Sequence, residues 1–552
     1  MNGPFTPVPG TARRLGDFAT IMEALDFAAN GTGGFNFYTS RGELQHELSF
    51  AELRHRALSF AGKLLGAGLE PGERVVLIGE TSPDFPVCFF ACLYAGIVPC
   101  IAPAETNVLG RSGYIERIAS LVRACSPSVL IVPEKLAELD FGDVRKLSIP
   151  GVCGLPDNAV NLGPSSPESL AYIQFSSGST TQPKGILISH AALMANVAAI
   201  LKDGIRLNAS DRAFSWLPFY HDMGLVGFLL APLAGQCTVD YLAPSSFARR
   251  PALWLQLMSK LGSTICYAPT FGYRLATERV RDTDLEGVDL SRWRLAGIGG
   301  DMVQIDTLEQ FASRFASAGF VRSAFVPSYG LAEATLAVTF ANDGSGPATA
   351  TLRSGEERSY VVCGKPLTGY EIRIVDADDM PVAEGTIGRV TVNGPSLMQG
   401  YVVETESGLM IGSDGYLDTG DLGFMVDGSL VVTGRAKDLI IVNGRNIWPS
   451  DVEWVVQKAA NIRYGQTVAF SLPERTGERA TGADHIVVLV EHRNHGSADD
   501  LRGMITDAVS RQMGVLVEVV LVQPQTITMT SSGKLRRAAA RDSYMAGTLA
   551  TV

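Results

Sequence analysis

The segment that most clearly suggests chemistry is YIQFSSGSTTQPKGILISH, residues 172–190. A β-like stretch leads into serines, threonines and a glycine, and Lys184 follows. Small hydroxyl residues and glycine let backbone N–H groups approach phosphate oxygens, while the hydroxyls and the lysine add donors and positive charge. The segment is not a P-loop, because it lacks the pattern G-x-x-x-x-G-K-S/T. It therefore suggests a phosphate-binding loop, with an ordinary Ser/Gly/Thr loop as the alternative.

Four further segments combine glycine with acidic and basic residues in short motifs. They are PSYGLAEAT (327–335), GYLDTGDLG (415–423), TGRAKDLIIVNGRNIWPSDVE (433–453) and TSSGKLRR (530–537). Together with the loop at 176–184, in this order and at these spacings, they closely resemble the adenylate-forming superfamily. That superfamily includes acyl-CoA synthetases, luciferases and nonribosomal adenylation domains. The resemblance covers the chain from about Phe18 to Arg541, and independent motifs multiply their false-positive risks, so coincidence is a poor explanation.

A finer resemblance is to fatty acyl-AMP ligases. It depends on SWLPFYHDMGL (215–225), on YGLAEAT (329–335) and on GRNIWPSD (444–451). It implies ATP-dependent activation of a fatty acid to its acyl-adenylate with release of pyrophosphate. The acyl group would then pass to an acyl carrier protein or a synthase carrier domain, as in polyketide biosynthesis. The alternatives are a medium- or long-chain fatty acyl-CoA synthetase and a non-catalytic adenylate-binding protein on the same fold.

The resemblance also implies which residues bind ATP and Mg²⁺. Glu333 would be the magnesium carboxylate, since Mg²⁺ prefers oxygen ligands and phosphate. Tyr329 would stack on adenine, Asp421 would accept hydrogen bonds from both ribose hydroxyls, and Arg435 would support the ribose and phosphate. The remaining nucleotide-binding residues are expected to be Ser176, Ser177, Gly178, Ser179, Thr180, Thr181, Lys184, Gly300, Ser328 and Gly330.

Three further residues have expected roles in catalysis or domain motion. Lys534 would stabilise charge on the α-phosphate and acyl oxygens, a role that suits a flexible point charge; a solvated lysine is the alternative. His221 is expected to be a catalytic residue that lines the acyl and phosphate site, with a core histidine as the alternative. Lys437 is expected to be a hinge between adenylation and transfer. The residues that would line an acyl tunnel, or else belong to the core, are Trp216, Phe219, Met223, Phe228 and Phe271.

The elements that must position these residues follow from hydrophobic periodicity. Strands are predicted at Arg74–Ile78, Val98–Ile101 and Ser128–Val132, with helices at Ala51–Leu65 and Phe85–Ala95, a spacing typical of βαβ units. A second such set has strands at Thr264–Ala268, Arg294–Ile298 and Ala324–Val326. A β-rich module follows, with strands at Glu371–Val375, Gly388–Val392 and Ser429–Thr433. The last unit alternates helices Pro449–Lys458 and Asp499–Arg511 with strands His485–Val490 and Val517–Val522.

These elements predict an α/β fold with two domains. Residues 1–436 would form a large N-terminal domain made of two α/β sheet halves and the β-rich module. Residues 438–552 would form a small α+β domain of an ordinary size for an independent unit. The family resemblance implies that the first is an adenylation domain that binds ATP and the acyl chain, and that the second is mobile and carries the catalytic Lys534.

Selectivity between a carrier protein and coenzyme A depends on the segment after YGLAEAT. Fatty acyl-AMP ligases have an extra segment there, packed on the N-terminal domain, that is associated with disfavouring coenzyme A. Here residues 341–362 are short and polar, and we expect no apolar stripe that would dock them firmly.

Residues 438–552 carry 12 basic and 12 acidic side chains. A basic cluster in that unit, Lys534, Arg536, Arg537 and Arg541, is a candidate docking patch for an acidic carrier protein, with a solvated basic tail as the alternative.

Composition excludes several other classes of protein. The 552 residues include 46 basic and 57 acidic side chains, a formal net charge of −11, which argues against nucleic-acid binding. No apolar run approaches the roughly 18 residues of a membrane span, and no signal pattern precedes residue 10, so a cytoplasmic protein is expected. The eight cysteines contain no C-x-x-C pair and are expected to be buried, reduced thiols.

Overall fold

A computed structural model of the chain describes residues 13–105, 110–156, 166–175, 184–341, 344–352, 359–403, 410–442, 445–463, 465–473, 484–492, 497–529 and 535–552. These residues fall into two units. The larger unit comprises the described residues up to Thr419, together with Gly423–Val432. The smaller unit comprises Thr433–Val552 and the short stretch Gly420–Leu422, so it begins a few residues before the position 438 predicted from the sequence.

Two sheets organise the larger unit. In spatial order, the strands of one are Lys365–Pro366, Ala337–Phe340, Phe325–Gly330, Leu295–Ile298, Ile265–Ala268, Ala213–Ser215, Val239–Leu242, Gly34–Tyr38 and Leu44–Ser49. Those of the other are Gly400–Tyr401, Gly185–Ser189, Leu170–Phe175, Val98–Ala102, Arg74–Ile78, Val129–Val132 and Lys146–Ser148. Most neighbours inside both sheets run parallel. The predicted α/β architecture with two sheet halves is therefore confirmed.

Helices separate these strands. Their bounds are Ile21–Ala28, Phe50–Gly66, Asp84–Tyr94, Gly110–Cys125, Ile149–Cys153, His190–Ala199, Asp222–Leu225, Ala231–Ala234, Pro244–Arg249, Ala252–Leu261, Thr270–Arg279 and Ile305–Phe315. The strand Val98–Ala102 is buried along its whole length, because helices cover both faces of a parallel sheet. Local signals fix several helix starts: Ser49, for example, accepts a hydrogen bond from the Glu52 N–H and so caps the helix that follows.

The β-rich module predicted after Tyr360 is also present. Its strands are Glu371–Val375, Gly388–Asn393, Leu417–Val426 and Ser429–Arg435. A separate two-stranded hairpin, Thr349–Thr351 with Ser359–Val361, lies in the segment that follows YGLAEAT.

That segment corrects one expectation from the sequence. Leu352 and Tyr360 are buried and form a small apolar cluster with Phe424 and Val431 of the four-stranded sheet. The ring centroids of Tyr360 and Phe424 lie 6.1 Å apart, close to perpendicular. The segment is therefore docked by apolar contacts. The prediction failed because the side chains that dock it are separated by polar residues and form no periodic stripe.

The smaller unit has its own core. Helices Pro449–Ala460 and Ala498–Met513 pack with the strands Thr467–Pro473, Asp484–Glu491 and Val517–Val522, and Val456, Val488 and Val509 are fully buried among them. Helix Arg537–Met545 contributes to a second cluster, in which the ring of Tyr544 lies 5.8 Å from that of Phe470. Strands Ile440–Val442 and Arg445–Ile447 form a short hairpin. The helices and strands predicted for this unit are present, with bounds that differ by up to two residues.

The cysteines follow the prediction with one exception. All eight are free thiols and seven are buried, whereas Cys153 is exposed at the end of a short helix. Within the described part of the chain, no helix combines the length and the apolar character that a membrane crossing requires.

Candidate active site

Two strand ends in the larger unit approach each other closely. Strand Leu295–Ile298 runs parallel to Phe325–Gly330 and ends before Gly299 and Gly300. A Cβ atom at Gly299 would lie 2.9 Å from the carbonyl oxygen and the hydroxyl of Ser328, and Gly300 has a φ of +76°, a conformation that favours glycine. Ligands of doubly wound sheets bind at the carboxyl ends of strands. The sequence-predicted residues Gly300, Ser328, Tyr329 and Gly330 therefore lie together at such an edge.

Glu333 lies on a tightly held turn. It occupies the 3₁₀ helix Ala332–Ala334, and Thr335 after it has a φ of +68°, which is unusual for a residue other than glycine. Thr335 is buried, and its hydroxyl donates to the Ser396 carbonyl oxygen at 2.8 Å. The Glu333 side chain is partly exposed, and its Oε1 accepts a hydrogen bond from the Tyr401 hydroxyl at 3.1 Å.

Tyr401 also contacts the lysine of the predicted phosphate loop. Lys184 Nζ lies 5.2 Å from the centroid of the Tyr401 ring, within the range of a cation–π interaction. Tyr401 thus contacts both Lys184 and Glu333, which are far apart in the sequence. Tyr401 is not predicted from the sequence, because nothing local marks a tyrosine whose carboxylate partner lies 68 residues away.

His221 precedes the helix Asp222–Leu225 and is partly buried. Its Nδ1 lies 3.2 Å from Asp222 Oδ1, which also accepts the Met223 N–H at 2.7 Å. Its Nε2 is buried without a hydrogen-bond partner among the described residues. Met223 lies near Gly300, since a Cβ at that glycine would be 3.5 Å from its Cε. The predicted wall residue therefore belongs to the same part of the larger unit as Gly300.

The charge of Asp222, the residue after His221, acts on a buried phenol. Burial, and to a smaller extent the negative charge of Asp222, raises the pKa of Tyr172 well above its ordinary value, so the side chain stays neutral.

Most of the aromatic residues proposed for an acyl tunnel belong to the core. Trp216, Phe219 and Phe228 are at most 3% exposed, and Trp216 stacks on Phe247 with ring centroids 3.7 Å apart. Met223 and Phe271 are only partly buried. The core alternative therefore holds for the first three residues.

In the smaller unit, the predicted ribose and phosphate residues form an ion pair. Arg435 Nε lies 2.9 Å from Asp421 Oδ1, and Asp421 is buried. Lys437 lies in the 3₁₀ helix Ala436–Asp438 that follows. The pair holds a carboxylate in a fixed orientation, as a bidentate acceptor of hydroxyl groups requires.

One arginine of the predicted docking patch is ion-paired within the smaller unit. Arg537 Nε and Nη2 lie 2.8 and 2.7 Å from the two carboxylate oxygens of Glu453, a buried residue that also accepts the Ala469 N–H at 3.0 Å. Arg537 also lies 3.7 Å from Asp438. Sequence reasoning missed this partner because Glu453 lies 84 residues away.

Some predicted residues lie outside the described part of the chain. They are the catalytic candidate Lys534 and the loop residues Ser176, Ser177, Gly178, Ser179, Thr180 and Thr181. Within the described part, no cluster of three or more His, Cys, Asp or Glu side chains could hold a metal ion by itself. Glu333 could bind a divalent cation together with phosphate oxygens of a ligand, which is how Mg²⁺ is commonly held.

Comparison with known proteins identifies the family. The sequence profile described as "AMP-binding enzyme" matches residues 26–402, more than half of the chain. The chain belongs to the AMP-binding enzyme family. The adenylate-forming resemblance predicted from the motifs is thereby confirmed, and this AMP-binding enzyme is an adenylate-forming ligase.

Relatives of this AMP-binding enzyme span nearly its full length. A Caulobacter vibrioides protein named as an acyl-CoA synthetase is 44% identical over 560 residues, 97% of both chains. A long-chain fatty-acid–AMP ligase of Mycobacterium marinum is 32% identical, over 90% of this chain and 91% of its own. A solved structure from work on the fatty acyl-adenylate ligases of E. coli and L. pneumophila is 40% identical, with a TM-score of 0.91, and covers 97% of this chain and 99% of its own.

Proposed function

We propose that this AMP-binding enzyme activates a fatty acid as its acyl-adenylate and transfers the acyl group to an acyl carrier protein or a synthase carrier domain. The observation that carries the proposal is the convergence of Glu333 and Lys184 on Tyr401 in a chain whose relatives include fatty acyl-adenylate ligases. A carboxylate and a cation held at one place suit a ligand with several phosphates and a metal ion.

The chemistry explains why both charges are needed. An oxygen of the fatty acid carboxylate attacks the α-phosphorus of ATP, and the bond to the oxygen that bridges the α- and β-phosphates breaks. Pyrophosphate leaves with the electron pair of that bond. Both reactants are anions, so the site must neutralise charge and hold the attack in line. In the second step, the carrier thiol attacks the acyl carbonyl, AMP leaves and a thioester forms.

Each residue then has a task in this scheme. Lys184, with the loop before it, would bind the β- and γ-phosphates, and Glu333 would hold Mg²⁺. Mg²⁺, when bound, supplies positive charge that offsets the charge of the phosphates. Tyr329 would face the adenine, and Asp421 would accept the ribose hydroxyls. Lys534 would neutralise charge at the α-phosphate during the first step.

A carrier protein is the acceptor we favour. The hairpin segment after YGLAEAT, which in fatty acyl-AMP ligases is associated with disfavouring coenzyme A, is docked here through Leu352 and Tyr360. Coenzyme A is the second candidate acceptor, and the name of the Caulobacter vibrioides relative favours it. Free thiols throughout the chain agree with a cytoplasmic, reducing environment, which we propose as its location.

We further propose that residues 1–436 bind the substrates and that residues 438–552 move about a hinge at Lys437. Hinges absorb backbone change over a few residues, and proline at 437 would fix φ there. Lys437→Pro should slow acyl transfer more than adenylation. Equal loss in both half-reactions, measured separately with preformed acyl-adenylate and with ATP, would count against the hinge.

The decisive experiment identifies the product. The enzyme is incubated with ATP, Mg²⁺ and a panel of fatty acids, with coenzyme A, with a phosphopantetheinylated carrier protein, or with neither, and the acyl products are identified by mass spectrometry. We expect acyl-AMP without an acceptor and acyl-carrier thioester with the carrier. Acyl-CoA as the main product would select the synthetase alternative. ATP binding without any acyl-AMP, in the parent as in Glu333→Gln, would select the non-catalytic alternative.

A further inference from the structure

Residues 396–402 hold the turn that carries Glu333. The hydroxyl of Thr335 donates to the Ser396 carbonyl oxygen at 2.8 Å, and the Met398 N–H donates to the Glu333 carbonyl oxygen, also at 2.8 Å. The 396–402 segment therefore holds the turn at Glu333 itself and at Thr335, two residues further along the chain. Because the backbone is held in this way, the position of the Glu333 carboxylate depends mainly on the rotamer of its side chain.

The same segment is hydrogen-bonded to the strand that follows the predicted phosphate loop. Strand Gly185–Ser189 begins directly after Lys184. Tyr401 pairs with Ile186 in antiparallel register, and the Val402 N–H donates to the first residue of that strand at 2.8 Å. The 396–402 segment thus ties together two parts of the larger unit that are far apart in sequence, the Glu333 turn and the start of the Lys184 strand.

The Tyr401 side chain completes this link. Its hydroxyl lies 3.1 Å from both Glu333 Oε1 and Met410 Sδ, and the carboxylate is much the stronger acceptor of its single proton. Its ring lies 5.2 Å from Lys184 Nζ, which is attracted to the negative face of the ring. A tyrosine satisfies both contacts at once, whereas phenylalanine would keep only the second and leucine would keep neither.

We infer that Tyr401 is a positioning residue for the phosphate end of the site. Its hydroxyl sets the orientation of the Glu333 carboxylate, and its ring holds Lys184 in place. This inference rests on the proposed function, in which these two groups handle Mg²⁺ and the phosphates. Tyr401 acts through its two partners and takes no part in bond making.

The chain contains a matched control. The Tyr416 hydroxyl donates to the Glu371 carboxylate, and Arg373 Cζ lies 3.7 Å from the centroid of the Tyr416 ring. This is the same combination of phenol, carboxylate and cation, on the four-stranded sheet and among residues to which we assign no role in the reaction. Tyr416→Phe therefore measures what the loss of such a hydroxyl costs in structure alone.

The experiment compares Tyr401→Phe, Tyr401→Leu and Tyr416→Phe in the full chain. Initial rates of adenylation are measured while Mg²⁺ is titrated at saturating ATP, and ATP binding is measured by calorimetry without fatty acid, with and without Mg²⁺. Tyr401→Phe should lower kcat about 10-fold and raise the half-activating Mg²⁺ concentration several-fold, with Mg²⁺-free ATP binding unchanged. Tyr401→Leu should in addition weaken Mg²⁺-free ATP binding about 3- to 10-fold, because Lys184 loses the ring. Tyr416→Phe should change none of these quantities.

Three results would overturn the inference. The first is Tyr401→Phe with the Mg²⁺ dependence and kcat of the parent. The second is Tyr401→Leu with the same Mg²⁺-free ATP binding as Tyr401→Phe. The third is the same loss in Tyr401→Phe and Tyr416→Phe, in both thermal unfolding and kinetics, which would mean a purely structural role.

The calorimetric measurement separates this inference from the proposed function. If the parent binds ATP but makes no acyl-adenylate, the proposed function fails. The Mg²⁺ dependence of ATP binding in Tyr401→Phe still tests the positioning role in that case. An unchanged Mg²⁺ dependence there rejects the role, and a weakened one supports it. If Tyr401→Leu does not fold, the Mg²⁺ dependence of ATP binding in Tyr401→Phe alone tests the positioning role.

Discussion

The two units bring their candidate residues together in different ways. In the larger unit, Lys184 and Glu333 are distant in sequence, and both contact Tyr401. Strand pairing and a hydrogen-bonded turn bring them there. In the smaller unit, Asp421 and Arg435 are close in sequence and form a direct ion pair. The larger unit thus brings distant residues together through the pairing of its strands, whereas the smaller unit pairs two residues that are near in sequence. On the proposed function, Lys184 and Glu333 of the larger unit handle the phosphates and Mg²⁺, and Lys534 of the smaller unit supplies charge in the transition state.

The largest expected effect is that of Lys534→Ala. If the smaller unit supplies charge to the transition state, adenylate formation should fall about 10²- to 10³-fold while ATP binding persists. Pyrophosphate release and calorimetric ATP binding measure the two quantities. A rate within about tenfold of the parent, which corresponds to about 1.4 kcal/mol, would refute the assignment of Lys534 to the chemistry.

Arg537→Met should affect folding of the smaller unit. The substitution leaves the Glu453 carboxylate buried without its bidentate partner. Because Arg537 keeps a quarter of its side chain exposed, we expect a loss at the lower end of the range for a broken buried pair, about 3 kcal/mol. Hydrogen exchange should show weaker protection of strand Asp484–Glu491 and unchanged protection of Val98–Ala102.

The control for this variant is Arg541→Met, which removes an exposed arginine from the same helix. It should leave protection of Asp484–Glu491 unchanged. Equal effects of the two substitutions would mean that the Arg537–Glu453 pair does not stabilise the smaller unit.

Acid should weaken the larger unit through His190. Burial lowers the pKa of His190 from 6.5 to about 4, so the folded state binds the proton less readily than the unfolded chain does. Stability is therefore retained above about pH 6.5 and is lost as the pH falls from there towards 4. At pH 5 the loss is about 2 kcal/mol.

Exchange protection of strand Val98–Ala102 at pH 7 and pH 5, corrected for the intrinsic exchange rate, measures this loss. His190→Gln removes the titrating group and should reduce the difference between the two pH values by about 2 kcal/mol. An unchanged difference in His190→Gln would assign the acid sensitivity to other groups.

The smallest expected effect is that of Arg541→Glu. With Arg537 committed to Glu453, Arg541 is an exposed cation on the same helix for docking an acidic carrier protein. Charge reversal should slow acyl transfer several-fold at low salt, less at high salt, and leave adenylation unchanged. Arg502→Glu, on another helix of the same unit, is the control. Equal slowing by both reversals would indicate a general charge effect and no docking site at Arg541.

Much of the fold follows from local patterns. Strands Arg74–Ile78, Glu371–Val375 and Val517–Val522 have the predicted bounds, because apolar runs between turn residues report burial directly. The family follows from short motifs such as YGLAEAT (329–335), whose residues are contiguous. Such local patterns can be interpreted without knowing which residues pack against them.

Contacts between distant residues required the folded chain. The Tyr401 hydroxyl meets Glu333 because the 396–402 segment pairs with the strand after Lys184, and the hydroxyl alone has no sequence signature. The sequence places Arg537 in a basic patch, whereas in the folded chain its guanidinium is paired with the Glu453 carboxylate. Periodicity reports whether a side chain is buried, whereas its partner is set by how sheets and loops pack, and that packing brings together side chains from separate parts of the sequence.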